Sequence, residues 1–210
     1  MKSEAVNALW NLLEEVPDDA VAAAAGAVTA AAADIAALLP RAMASSAASM
    51  VLTVAAASPE GRAAIIAGGA VPGAVGALCS GTVLGETEAA ACTLLEALAT
   101  ARDEFAGGAC DEIVAAGGVP AVVDWLMVLH GAAVAATSDR PTAAAVGAGT
   151  VLMEAEAQHS AERLLGALAA RAPGRLSNDD AEALVRATGL ASVRLRPALD
   201  SALAALAGRA

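Results

Sequence analysis

Apolar residues recur along the chain at positions i, i+3, i+4, i+7 and i+8, the stripe that one face of an α-helix turns toward a core. Counted from Ala5, the stripe is Ala5, Ala8, Leu9, Leu12 and Leu13. From Ala47 it is Ala47, Met50, Val51, Val54 and Ala55; from Ala91 it is Ala91, Leu94, Leu95, Leu98 and Ala99. From Ala161 it is Ala161, Leu164, Leu165, Leu168 and Ala169. All twenty positions are apolar, where a hydrophobic fraction of 58% would supply about twelve by chance. The pattern predicts amphipathic helices, and short β-branched runs of the kind that form strands are missing.

Between these helices the chain repeats a turn. Ala67-Gly68-Gly69-Ala70-Val71-Pro72 and Ala116-Gly117-Gly118-Val119-Pro120 share one form, Ala25-Gly26-Ala27-Val28 a shorter one, and Ala187-Thr188-Gly189-Leu190 a degenerate one. Pro17 and Pro59 are 42 residues apart, as are Gly26 and Gly68. Glycine ends a helix where positive φ is needed. Proline just beyond it suits the first turn of the next helix, where a missing N–H costs nothing. The unit reads as helix, glycine turn, helix, short loop and a longer third helix. A phosphate-cradling loop is the rival reading, but no Lys-Ser/Thr follows either glycine pair and no strand precedes one.

The third helices begin 42, 44 and 70 residues apart. The excess lies at about 131–153, where Thr137-Ser138-Asp139-Arg140-Pro141 reads as a loop whose flanks lengthen the neighbouring helices. A smaller insertion is expected at about Asp103–Ala109. The whole of 1–210 reads as one repeat domain.

Composition narrows the function classes. Alanine supplies 63 of 210 residues, and the net charge is −11. The chain is too apolar for disorder and too acidic for a general nucleic-acid binder. Trp10, Trp125 and Phe105 are its only aromatics, too few to stack on bases. Three cysteines, Cys79, Cys92 and Cys110, make no disulfide framework and suggest a reducing compartment. No secretory signal opens the sequence, because Glu14, Glu15, Asp18 and Asp19 interrupt the first hydrophobic stretch. Ala42–Pro59 and Ala63–Gly85 are uncharged and long enough to span a bilayer. However, serines and a terminal proline mark the first, and Gly68, Gly69, Pro72 and Gly73 break the second.

The pattern resembles the armadillo repeat family. Glu4-Ala5-Val6-Asn7-Ala8-Leu9-Trp10-Asn11-Leu12-Leu13 carries the likeness to a third helix. Pro59-Glu60-Gly61-Arg62-Ala63-Ala64-Ile65-Ile66-Ala67-Gly68-Gly69-Ala70-Val71-Pro72 and Ile113 to Val123 carry the first helix, turn and second helix. The resemblance implies an all-α, right-handed α-α superhelix of about four three-helix repeats, the first one truncated because Met1 falls within a third helix. It implies a concave groove lined by third helices, where many members hold an extended peptide with an asparagine ladder. Asn11 occupies the ladder position, and its later equivalents are Thr53, Ala97 and Ala167. One turn earlier stand Asn7, Ser49, Thr93 and Arg163, where importin-like members carry tryptophan. The ladder is mostly absent, which points to another mode of interaction.

Candidate chemistry is sparse. His130 and His159 with a cysteine could in principle form a nucleophile pair, but buried small-residue packing accounts for the cysteines equally well. Two separated histidines do not assemble a metal site. His159, four residues before Arg163, reads as a surface residue. The carboxylates cluster in pairs, Glu14-Glu15, Asp18-Asp19, Asp103-Glu104, Asp111-Glu112 and Asp179-Asp180, most of them at predicted helix starts, with Ser177-Asn178 capping the last. Together the carboxylates make an acidic surface suited to a basic partner. Trp10 and Trp125 read as core plugs or interface anchors, and an uncapped N-terminal end would favour self-association.

The resulting expectation is a non-catalytic protein-protein interaction or scaffold domain in the cytoplasm or nucleus. It would use no cofactor, bind a partner protein or peptide of basic character, and bind neither nucleic acid nor membrane. Groove candidates are Asn7, Asn11, Ser49, Thr53, Thr93 and Arg163. The alternatives are a regulatory or targeting fragment of a larger multidomain protein, and a small helical enzyme or membrane-associated protein.

Overall fold

Alanine loses no side-chain entropy in a helix and is the best helix former. Among the described residues of the computed structural model the chain is accordingly all-helical, with no strand. The structure describes residues 26–39, 42–79, 86–138, 147–172, 174–189 and 196–207. A helical segment at 26–30 leads into α1 (Ala32–Ala36), α2 (Ala42–Ala55), α3 (Pro59–Ala67), α4 (Ala70–Leu78) and α5 (Glu86–Thr100). Then follow α6 (Phe105–Ala115), α7 (Gly118–Ser138), α8 (Gly147–Arg171), α9 (Asn178–Thr188) and α10 (Arg196–Ala207). The stripe from Ala5, with Asn7, Trp10, Asn11 and Pro17, lies outside the described residues.

The glycine corners form for the expected reason, at two places. Gly69 (φ 70°) and Gly117 (φ 79°) carry the positive φ values among the described residues. Each stands three residues before a proline, Pro72 or Pro120. At these corners α3 and α4 bend by 79°, and α6 and the first part of α7 by 74°. Gly26 departs from the expectation: it belongs to the helical segment 26–30 and has no left-handed backbone. Gly189 caps α9 at φ −70°, also right-handed. The uncharged stretch from Ala63 therefore turns a corner at Gly69, and no single helix among the described residues is long and apolar enough to cross a membrane.

Local signals set the helix starts. Ser58 caps α3, its hydroxyl accepting the Gly61 N–H at 3.0 Å, with Pro59 in the first turn. Ser177 and Asp180 form a reciprocal capping box at α9: the Ser177 hydroxyl accepts the Asp180 N–H, and the Asp180 carboxylate accepts the Ser177 N–H at 2.7 Å. Among the carboxylate pairs, Asp111-Glu112 lies in the middle of α6 and not at a start. One expectation needs correcting. The insertion at about Asp103–Ala109 is mostly helix, since α6 begins at Phe105 and only 101–104 remain a connection.

Helix α2 packs on α5, α5 on α8 and α8 on α10. Helix α4 packs on α5 and α7, α7 on α8 and α9, and α3 meets α6. In α5 the stripe Ala91, Leu94, Leu95, Leu98 and Ala99 is fully buried, and in α8 Ala161, Leu164, Leu165, Leu168 and Ala169 are buried. In α2 the buried set is shifted to Ala48, Val51, Leu52 and Ala55, with Ala47, Met50 and Val54 half-buried. Trp125 is a core side chain. Helices α7 and α8, at 21 and 25 residues, are far longer than their counterparts α4 and α5, at 9 and 15. This matches lengthened flanks around 131–153; residues 139–146 lie outside the described set.

Cations tie consecutive units together. Arg62 of α3 donates through Nε to Asp103 at 2.7 Å and reaches the Ala56 carbonyl. Arg163 of α8 meets Glu96 of α5 at 2.9 Å, and Arg186 of α9 meets Asp124 of α7 at 2.9 Å. Arg175, before α9, reaches Asp111 of α6 at 3.4 Å. Partial burial works to raise the Asp103 pKa, but the hydrogen bond and charge of Arg62, with the Phe105 and Ala106 N–H groups, outweigh it and hold the carboxyl below its ordinary value.

Candidate functional site: a cleft between third helices

Where α5 and α8 lie side by side, an open cleft of about 550 Å³ separates them. Its walls are Ala89 and Thr93 from α5, and Ala155, Glu156, His159 and Ser160 from α8. Thr93 is exposed, and its hydroxyl donates to the Ala89 carbonyl at 2.9 Å. That proton is committed within the helix, so the oxygen faces the cleft as an acceptor. Thr53 on α2 behaves alike, donating to the Ser49 carbonyl at 2.9 Å.

One helical turn beyond Thr93 and Ser160, the Glu96–Arg163 pair bridges α5 and α8. Thr93 and Glu96 are three residues apart on α5, and Ser160 and Arg163 three apart on α8, so each pair shares a face. The Glu96 side chain is 12% exposed and that of Arg163 is 52% exposed. The carboxylate is therefore held inside while the guanidinium reaches in from solvent.

Of the six groove candidates, Thr93 lines this cleft; Arg163 is not among its lining residues and stands one turn beyond Ser160, paired with Glu96. Thr53 lies on the neighbouring α2, half-buried. Ser49 does not stand on an open surface. It is fully buried, its hydroxyl without a partner, because α2 is packed by α1, α3, α4 and α5 and a small side chain sinks among them. Asn7 and Asn11 lie outside the described residues. Glu156, His159 and Ser160 were missed as cleft residues. Only His159 had been singled out, as a surface residue, and it is exposed.

Ser160 and His159 are adjacent on a helix, so their side chains diverge by about 100° and do not form a nucleophile–base pair. Burial pushes the Cys92 thiol far up, with the nearby Glu96 charge adding to it. Burial likewise drives Cys110 up to about 11, against the pull of Arg171 and with a push from Asp111, so neither is a thiolate near neutral pH. Cys110 lies mid-helix in α6 and faces the Ala99 carbonyl at 3.7 Å; Cys79, at the end of α4, is exposed. Burial also raises the Glu112 pKa. Among the described residues no three His, Cys, Asp or Glu side chains converge on a metal position.

No family model matches the chain, and no curated protein matches it either. Among solved structures it is similar to a crystal structure described as an engineered protein, a Northeast Structural Genomics Consortium target. The TM-score is 0.50 and the identity 22%, over 98% of this chain and 90% of that one. At that identity the likeness concerns the fold alone.

Proposed function

We propose that this chain is a non-catalytic protein-interaction domain, an armadillo-like right-handed solenoid that holds a segment of a partner protein along its third-helix face. The observation that carries the reading is the cleft between α5 and α8, bounded by Thr93, His159 and Ser160 and open to solvent. The serial packing of α2, α5, α8 and α10 supports a continuous face on which such a cleft would be one station. Acceptor oxygens at Thr53 and Thr93 suit the N–H groups of an extended backbone. Net charge −11 and Glu156 on the wall favour a partner of basic character. The cytoplasm or nucleus is the setting this reading implies.

Affinity capture with cleft variants is the test. Thr93→Trp fills the cleft with an indole and should abolish recovery of the partner seen with the unaltered protein. Val185→Glu, on an exposed position of α9 away from the cleft, should leave recovery intact. Equal recovery by both variants would remove the cleft from the binding surface.

A further inference from the structure

We infer that Arg163 is an internal occupant of a cation seat, holding on Glu96 the place that a guanidinium of the partner takes when it binds. This inference rests on the cleft reading above and adds a regulation to it. Glu96 sits on the cleft's own face of α5, one turn past Thr93, and its carboxylate is largely withdrawn from water. A buried carboxylate needs a cation or several donors, so it does not stay empty once Arg163 leaves. Arg163 is the exposed half of the pair: its side chain is 52% exposed and it contacts Glu96 through Nε at 2.9 Å. Swinging outward would return a half-solvated guanidinium to full hydration at little desolvation cost. The exchange of one guanidinium for another conserves charge and hydrogen bonds at Glu96.

An internal competitor lowers apparent affinity by the fraction of time that it occupies the seat. The probe is a fluorescein-labelled hexa-arginine peptide, titrated into the full chain at fixed ionic strength. Arg163→Gln removes the occupant and should tighten binding by about two- to fivefold, the range that loss of a partly exposed ion pair allows. Arg175→Gln makes the same change of net charge at the Arg175–Asp111 pair and should leave the affinity nearly unchanged. Arg163→Lys, which keeps a cation on the seat, should behave like the unaltered chain. Adding Glu96→Gln to Arg163→Gln should cancel the gain.

Equal tightening by Arg163→Gln and Arg175→Gln would overturn the seat, since general charge would then explain it. Weaker binding by Arg163→Gln would overturn it too, by making Arg163 a direct contact. Thr93→Trp separates the two levels. If it blocks the peptide while Arg163→Gln has no special effect, the cleft stands and the internal occupant falls. If it does not block the peptide, the cleft itself is wrong.

Discussion

At the scale of single residues, the polar side chains on the third helices divide by how deep they sit. Thr53 and Thr93 satisfy their own protons on the preceding turn. Ser49 is buried with an unpartnered hydroxyl, which costs about 1–3 kcal/mol where it stands. Ser49→Ala removes the unmet hydrogen bond without opening a large cavity, so it should be neutral to stabilising, by up to about 1 kcal/mol in urea unfolding. A clear loss of stability would mean that the hydroxyl is in use. Nothing local distinguishes Ser49 from Thr93 in the sequence, because both fall on the same template position; burial depends on what covers each helix. Asp103 has a lower pKa folded than unfolded, so its stabilising contribution is present above the unfolded carboxylate range near pH 4 and is lost as the pH falls through the folded value. Unfolding of Asp103→Asn should therefore show a deficit at about pH 6 that shrinks as the pH falls below the unfolded carboxylate range and closes below the folded value. A deficit independent of pH would assign the effect to shape.

At the scale of elements, α5 is the hinge of the packing, flanked by α2, α4, α6 and α8. Leu94, Leu95 and Leu98 are fully buried there. Leu95→Ala should cost about 2–5 kcal/mol by denaturant titration, since the rigid surroundings cannot collapse into the space. A cost below about 1 kcal/mol would show that α5 is not enclosed on all sides. The elements most legible in the sequence were those with leucine on the stripe, α5 and α8, where periodicity and burial coincide. In α2 alanine fills both faces, and the buried set moved by one position because alanine does not mark which side is inside. The corners at Gly69 and Gly117 were legible through the proline that follows each. Gly26, with no such proline, proved helical.

At the scale of the whole molecule, the unit junctions carry what local reading could not supply. Arg62–Asp103 and Arg163–Glu96 join residues distant in sequence, and no periodicity announces such pairs. The cleft is of the same kind, since Ala89, Thr93, His159 and Ser160 belong to two helices separated by two others. The lengthened pair α7 and α8 was foreseen from spacing alone. The proposed solenoid requires that α2, α5, α8 and α10 follow one another in series, so that only neighbours touch and one face stays open.

A distance between the two ends of the third-helix series tests that claim most directly. With Cys79, Cys92 and Cys110 replaced by Ser or Ala, spin labels at Thr53 on α2 and Asp200 on α10 can be measured by pulsed electron–electron resonance. Three interhelical steps of 8–10 Å predict a narrow distribution centred at roughly 25 Å. A distribution centred below about 15 Å would bring α2 against α10, close the series into a bundle and remove the open face on which the cleft depends.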